Sequence, residues 1–189
     1  MGQLPDAQVG QFNDARVGQF RDVQFYSLAE GTRGGSRMAD WLADDLDGEH
    51  AHRRSSKVFE RLPLEAAGRR VPGLPYTIWQ LLQHMIWWQD LWLARLAGDR
   101  PDNPPDLAVT WDTREAPADE AMLHAAVVHF QQGVARAQGY TSRDLDAHVE
   151  ADPPGTLGSE LVQLATHNSY HAGQVVLIRR LLGCWPPPR

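Results

Sequence analysis

Two histidines, His167 and His171, stand four residues apart in a stretch whose pattern reads as one helix over residues 156–182. At that spacing two side chains share a helix face with Cβ atoms ~5–6 Å apart, close enough for both imidazoles to grip one metal ion. The pair by itself also fits two core histidines bonded to their neighbours. Its surroundings favour the metal. Leu157, Leu161, Leu164, His171, Val175, Ile178 and Leu182 follow one another at steps of three, four and, from Leu164 to His171, seven, so the inward stripe runs through the pair. Buried imidazoles need partners for their ring nitrogens or must give up their charge, and no acid lies inside the motif.

A third ligand has to come from another helix. His84 is the candidate, mid-helix with Leu81, Trp88 and Leu91 on its face, whereas His50 and His52 fall on a polar stretch. Taken singly, His84 reads as a core imidazole bonded to a carbonyl or glutamine; beside His167 and His171 it reads as a ligand. Structural zinc sites are usually closed by four protein ligands, often cysteines, whereas three leave room for water or substrate. An open site lowers the pKa of bound water to ~7 or activates a thiolate from a small thiol, and the sequence does not choose between them. Asn168 stands where H-E-x-x-H enzymes keep their general base, which argues against a zincin-type protease. His129, His148, Glu160 and Tyr170 are available as bases, but nothing assigns the role to any of them, and the catalytic residues stay unknown. Gln80, Gln83, Thr166, Asn168 and Gln174 are near enough in sequence to orient ligand rings. Cys184 lies about three turns or more beyond the pair and is set aside as ligand or nucleophile.

The elements that must position these residues are helices. Met38, Trp41, Leu42, Leu46, Val58, Phe59 and Leu62 mark a first amphipathic helix, weak around residues 48–55 and ended by Pro63. Thr77 and Gln80 form a capping box that opens a second helix to about residue 96, closed by Gly98 and Pro101. Residues 99–116 carry prolines and no periodicity, so they read as an irregular connection. Pro117 suits the first turn of a third helix with Asp119 and Glu120, and Met122, Ala126, His129 or Phe130, and Val134 give its buried stripe. A second connection spans 139–155, and Thr156 caps the fourth helix with Glu160 in its first turn. The expected fold is all-α, a four-helix bundle over residues 38–189. Residues 1–37 differ: Asp6-Ala-Gln-Val-Gly-Gln-Phe12 recurs as Asp14-Ala-Arg-Val-Gly-Gln-Phe20, with Asp22-Val-Gln-Phe25 as a degenerate third copy. Three short copies build no core, and Gly31, Gly34 and Gly35 read as a flexible junction. Two readings stay open, a low-order extension or a chain that starts at Met38.

With 42% hydrophobic and 22% charged residues, the composition of these 189 residues suits one globular domain. A net charge of −6 without a basic block disfavours a nucleic-acid partner or an anionic membrane surface. The single cysteine excludes an intrachain disulfide framework, and no secretory leader pattern opens the chain, so a cytoplasmic location is expected. The apolar stretch over 78–96 is broken by Gln80, Gln83, His84, Gln89, Asp90 and Arg95, which argues against a membrane span. Trp79, Trp87, Trp88 and Trp92 lie around most of the second helix, more than one groove can bury. A homodimer interface is the first home for the surplus, and the wall of a substrate cleft is the other.

The run Tyr76-Thr-Ile-Trp-Gln-Leu-Leu-Gln-His84-Met85, the Trp-rich stretch after it, and His167-Asn-Ser-Tyr-His171-Ala-Gly-Gln174 with Trp185-Pro-Pro-Pro188 resemble the DinB/YfiT-like metalloprotein superfamily over residues 38–188. The resemblance implies a divalent metal, zinc or nickel, held by His84, His167 and His171 with water completing the shell. It also implies a thiol-dependent S-transferase or isomerase acting on a small molecule, with a low-molecular-weight thiol as cosubstrate. Two further readings stand beside it: a metal-dependent hydrolase of a small ester or amide, and a non-catalytic, metal-stabilised dimer that binds a ligand.

Overall fold

A computed structural model describes residues 34–151 and 153–187, so the N-terminal repeats lie outside the described residues. The helices are α1 (Gly34–Asp45), α2 (Leu64–Ala67), α3 (Ile78–Ala97), α4 (Glu120–Tyr140) and α5 (Leu157–Leu181). α1 and α3 each pack against both α4 and α5, giving the all-α four-helix arrangement, with α2 a single turn against α3 and α4. A two-residue antiparallel pair, β1 (His148–Val149) and β2 (Gly155–Thr156), leads the chain into α5.

The helix starts follow from capping chemistry. The Thr77 hydroxyl accepts from Gln80 N and the Gln80 side chain accepts from Thr77 N, each at 3.2 Å, satisfying two of the amides that open α3. Gly98, in the left-handed region at φ +98°, ends that helix. Thr156 caps α5 with Ser159 as the reciprocal partner. For α4 the cap is Asp119, which accepts from Met122 N at 2.7 Å. Pro117 therefore lies ahead of the helix and not in its first turn.

The long first helix expected up to Leu62 is broken after Asp45, and α1 begins at Gly34, so Gly34 and Gly35 are helical and not a junction. A helix cost of roughly 1 kcal/mol per glycine does not by itself keep glycine out of a first helical turn. The break has a local cause. Gly48 takes φ +72°, and the buried Asp47 carboxylate accepts from both Ser56 N and Ser56 Oγ at 2.7 Å, folding the chain back on itself. A 3₁₀ turn, Ser55–Lys57, follows, and Val58, Phe59 and Leu62 reach the core from turns. Their spacing mimics a helix because 3₁₀ turns also return side chains to one face every three residues.

Two apolar clusters make the core. One gathers Phe59, Ile78, Leu82, Met85, Phe130 and Val175; the other gathers Leu46, Leu93, Leu96, Leu157, Leu161 and Leu164. Along α5 one cluster stops at Ala165 and the other starts at Ala172. His167, Asn168 and His171 occupy the gap, facing His84 and Gln89 of α3. A polar layer therefore cuts the core at the level of the histidines.

Candidate metal centre

His84 on α3 meets His167 and His171 on α5, and one ring nitrogen from each lies within 4.8 Å of the others. The Nε2 atoms of His84 and His167 are 3.3 Å apart. Two nitrogens each ~2.0–2.1 Å from a tetrahedral ion are separated by about 3.3–3.4 Å, so this spacing is that of two ligands to one metal.

Neighbouring groups fix which nitrogens face the centre. The Thr110 hydroxyl donates to the Leu107 carbonyl at 2.7 Å, which leaves its lone pairs to accept from His84 Nδ1 at 2.9 Å. The Thr110 carbonyl, 3.3 Å from the same nitrogen, is a second acceptor. With the proton on Nδ1, His84 Nε2 presents a lone pair. His171 Nδ1 donates to Gln174 Oε1 at 2.7 Å, and its Nε2 is likewise a lone pair. His167 Nδ1 is buried without a partner. If His167 carries its proton on Nδ1, two lone pairs face each other at 3.3 Å; if on Nε2, a buried acceptor is left bare. A cation between the Nε2 atoms satisfies both of them, so the donor set fits the group.

The electrostatics agree. Burial, with the positive charge His171 would carry, holds His84 down at about 4. Burial, followed by His171 and His84, holds His167 at about 3, and burial lowers His171 as well. All three imidazoles are neutral at pH 7, the state in which they ligate.

Aromatic rings close the site. Trp111 stacks on His84 with centroids 3.8 Å apart, and Tyr76 stacks on Trp111 at 3.6 Å, both nearly parallel. Trp92 packs against His167 at 5.3 Å, and Tyr170 stands edge-on to His171 at 5.0 Å. Trp79 is buried elsewhere, donating to Asp112 at 3.2 Å. Trp88, half-buried, adjoins His84, His167 and Trp92, so part of the tryptophan surplus walls the histidines.

Of the five side chains expected to orient the ligand rings, Gln174 does so. Gln80 caps its helix and reaches Asp112 O, Asn168 donates to Gln89 at 3.4 Å, and Thr166 lines a cleft on another face. No bond from Gln83 to a ligand is found. The available bases stand apart: His129 pairs with Asp90, exposed His148 lies near Glu150, and buried Glu160 faces Arg95 at 3.6 Å. Tyr170 is the one that touches a ligand ring. Thr110 and Trp111 escape sequence reasoning because they ride on the 99–116 connection, whose 3₁₀ turn Leu107–Thr110 has no periodic signature beyond its Asp106 cap.

The fold and the site define an all-α bundle whose core carries an inward three-histidine cluster that can hold a metal ion. The chain belongs to the DinB superfamily, whose sequence profile matches residues 48–175 and so takes in all three histidines. No curated protein matches the chain.

Proposed function

We propose that His84, His167 and His171 bind one divalent metal ion, zinc or nickel, and that the chain is a metal-dependent transferase or isomerase using a low-molecular-weight thiol as cosubstrate. The observation that carries the metal is the convergence of three buried or half-buried imidazoles, with the Nε2 atoms of His84 and His167 3.3 Å apart. A bound ion would supply Lewis acidity, lowering the pKa of a coordinated thiol or water. The chain's own groups do the rest. Thr110 and Gln174 hold the tautomers of His84 and His171, Asn168 is tied into Gln89, and the rings of Trp88, Trp92 and Trp111 keep bulk water from the ligands. The thiol chemistry is inferred from membership of the superfamily and has a direct test.

Elemental analysis of tag-free protein, wild type beside His171→Ala, is expected to give near-stoichiometric metal in the first and loss in the second. The loaded protein is then offered mycothiol, bacillithiol and glutathione with electrophilic acceptors. Metal-free wild type after reconstitution overturns the site, and thiol-independent turnover of an ester or amide that is lost when a chelator strips the metal assigns the hydrolase reading instead. We also propose that the chain pairs as a homodimer. Trp41, Leu177 and Leu181 are each more than half exposed, and a second copy of the chain would cover them. None of the described helices is long and apolar enough to cross a membrane.

A further inference from the structure

The flank of α5 turned away from the three histidines carries a second constellation. Ser169 is two residues from both His167 and His171, which at ~100° per residue places it about 160–200° around the helix from them. Its Oγ lies 2.7 Å from His52 Nε2, and His52 Nδ1 lies 2.8 Å from the Arg53 carbonyl oxygen. A carbonyl only accepts, so Nδ1 bears the proton, Nε2 is the lone pair, and the Ser169 hydroxyl donates to it. A hydroxyl bonded to a base whose tautomer is fixed by a third group is the arrangement of an activated nucleophile.

The backbone makes room for it. Gly48 lies beneath the imidazole, and a Cβ there would sit 2.2 Å from His52 Cε1. His52 and Ser169 line two clefts, of about 440 and 300 Å³. The larger has Leu42, Val162 and Ala165 as apolar wall and is also lined by Thr166 and Tyr170. Neither His52 nor Ser169 serves the histidine cluster.

We propose that Ser169 is a nucleophile with His52 as its general base, a metal-independent acyl-transfer site for small carboxylic esters with an apolar acyl group. Ser169 Oγ bonds to the ester carbonyl carbon while His52 Nε2 takes the Oγ proton. The bond from that carbon to the alkoxy oxygen breaks, and the alcohol leaves with the proton from His52. Water then attacks the acyl-serine, passing a proton to His52 Nε2; the bond to Oγ breaks, His52 returns the proton to Oγ, and the carboxylic acid departs. Thr166 and Tyr170 line the same cleft and are the side chains assigned to donate to the carbonyl oxygen as it gains charge.

The test uses the full chain as purified with p-nitrophenyl acetate, acid-quenched for peptide mass spectrometry, beside Ser169→Ala and His52→Gln. The acetyl group is expected on Ser169, with hydrolysis at least ~100-fold lower in both variants, the scale of general-base catalysis, and unchanged by a chelator that strips the metal. Hydrolysis that survives both substitutions, vanishes with the chelator, or leaves acetyl only on another residue overturns the proposal, as does the absence of any acetylation. Should either variant melt early by circular dichroism, the acetyl position on the wild-type chain decides.

Discussion

Thr110 is the residue on which the histidine cluster's geometry depends without being a ligand. Its hydroxyl fixes the His84 tautomer, and groups that orient ligands typically contribute 10–100-fold in metal affinity. Thr110→Val keeps the shape and removes the acceptor, so chelator competition is expected to show metal affinity about 10–100-fold weaker with the fold intact; unchanged affinity would contradict the role. The pH response belongs to the same scale. His84 and His167 titrate in the folded chain at about 4 and about 3, below the ~6.5 of an unfolded histidine, so between these values the unfolded chain binds more protons. Stability of the metal-free protein is therefore full above pH ~6.5 and is lost as pH falls from there toward 4, flattening once the folded imidazoles also protonate. Metal affinity falls in the same direction because protons compete for the ligands. Urea titrations at pH 7, 6 and 5, above the main carboxylate range, check the first statement, and equal midpoints would refute it.

Between helices, Gln89 is the residue that joins the bundle at the polar layer. Its Nε2 donates to the Phe130 carbonyl of α4 at 3.1 Å, and its Oε1 accepts from Asn168 of α5 at 3.4 Å. Gly133 permits this, since a Cβ there would lie 1.8 Å from Gln89 Nε2. Gly133→Ala gains ~1 kcal/mol of helix propensity but forces a fully buried side chain with nowhere to retreat, an overpacking cost of ~1–3 kcal/mol. A net loss of up to about 2 kcal/mol is expected by denaturant unfolding, and it should reverse to a gain in a Gln89→Ala background. Additive effects of the two substitutions would show that the contact does not govern the helix spacing. Arg179 plays a comparable part at the end of α5. Fully buried, it donates to the carbonyls of Val58, Glu60 and Cys184, and so pins the turn that replaced the expected first helix.

For the molecule as a whole, the tryptophans on α3 divide their roles. Trp79 and Trp92 are buried and Trp88 adjoins the histidines, so α3 supplies less dimer surface than its sequence suggests. Among the described residues the large apolar side chains left exposed are Met38 and Trp41 on α1, Leu107 and Val109 on the connection after α3, and Val162, Tyr170, Leu177 and Leu181 on α5, of which Val162 and Tyr170 line the Ser169 cleft. If these faces pair, sedimentation at micromolar concentration is expected to give a species of twice the chain mass, and Leu177→Glu with Leu181→Glu to halve it. A monomer in the unsubstituted protein would remove the dimer.

The His167–His171 pair, the α3 and α5 helices with their Thr77 and Thr156 caps, and the inward stripe through His171 were legible in the chain alone. The pair, the caps and the stripes are local or periodic signals, carried by residues within four positions of one another or repeating along one helix, whereas His84, 83 positions from His167, was reached through its inward place on α3 and the family resemblance. Only the tertiary structure decided that the chain turns back at Asp47 and Gly48, that Thr110 and Trp111 come from an irregular connection to hold His84, and that His52 reaches Ser169. The physical reason is common to the three. Each depends on a hydrogen bond or ring contact between groups whose spacing in the chain, from 9 to 117 positions, follows no helical or strand period. Packing, and not local propensity, brought them together.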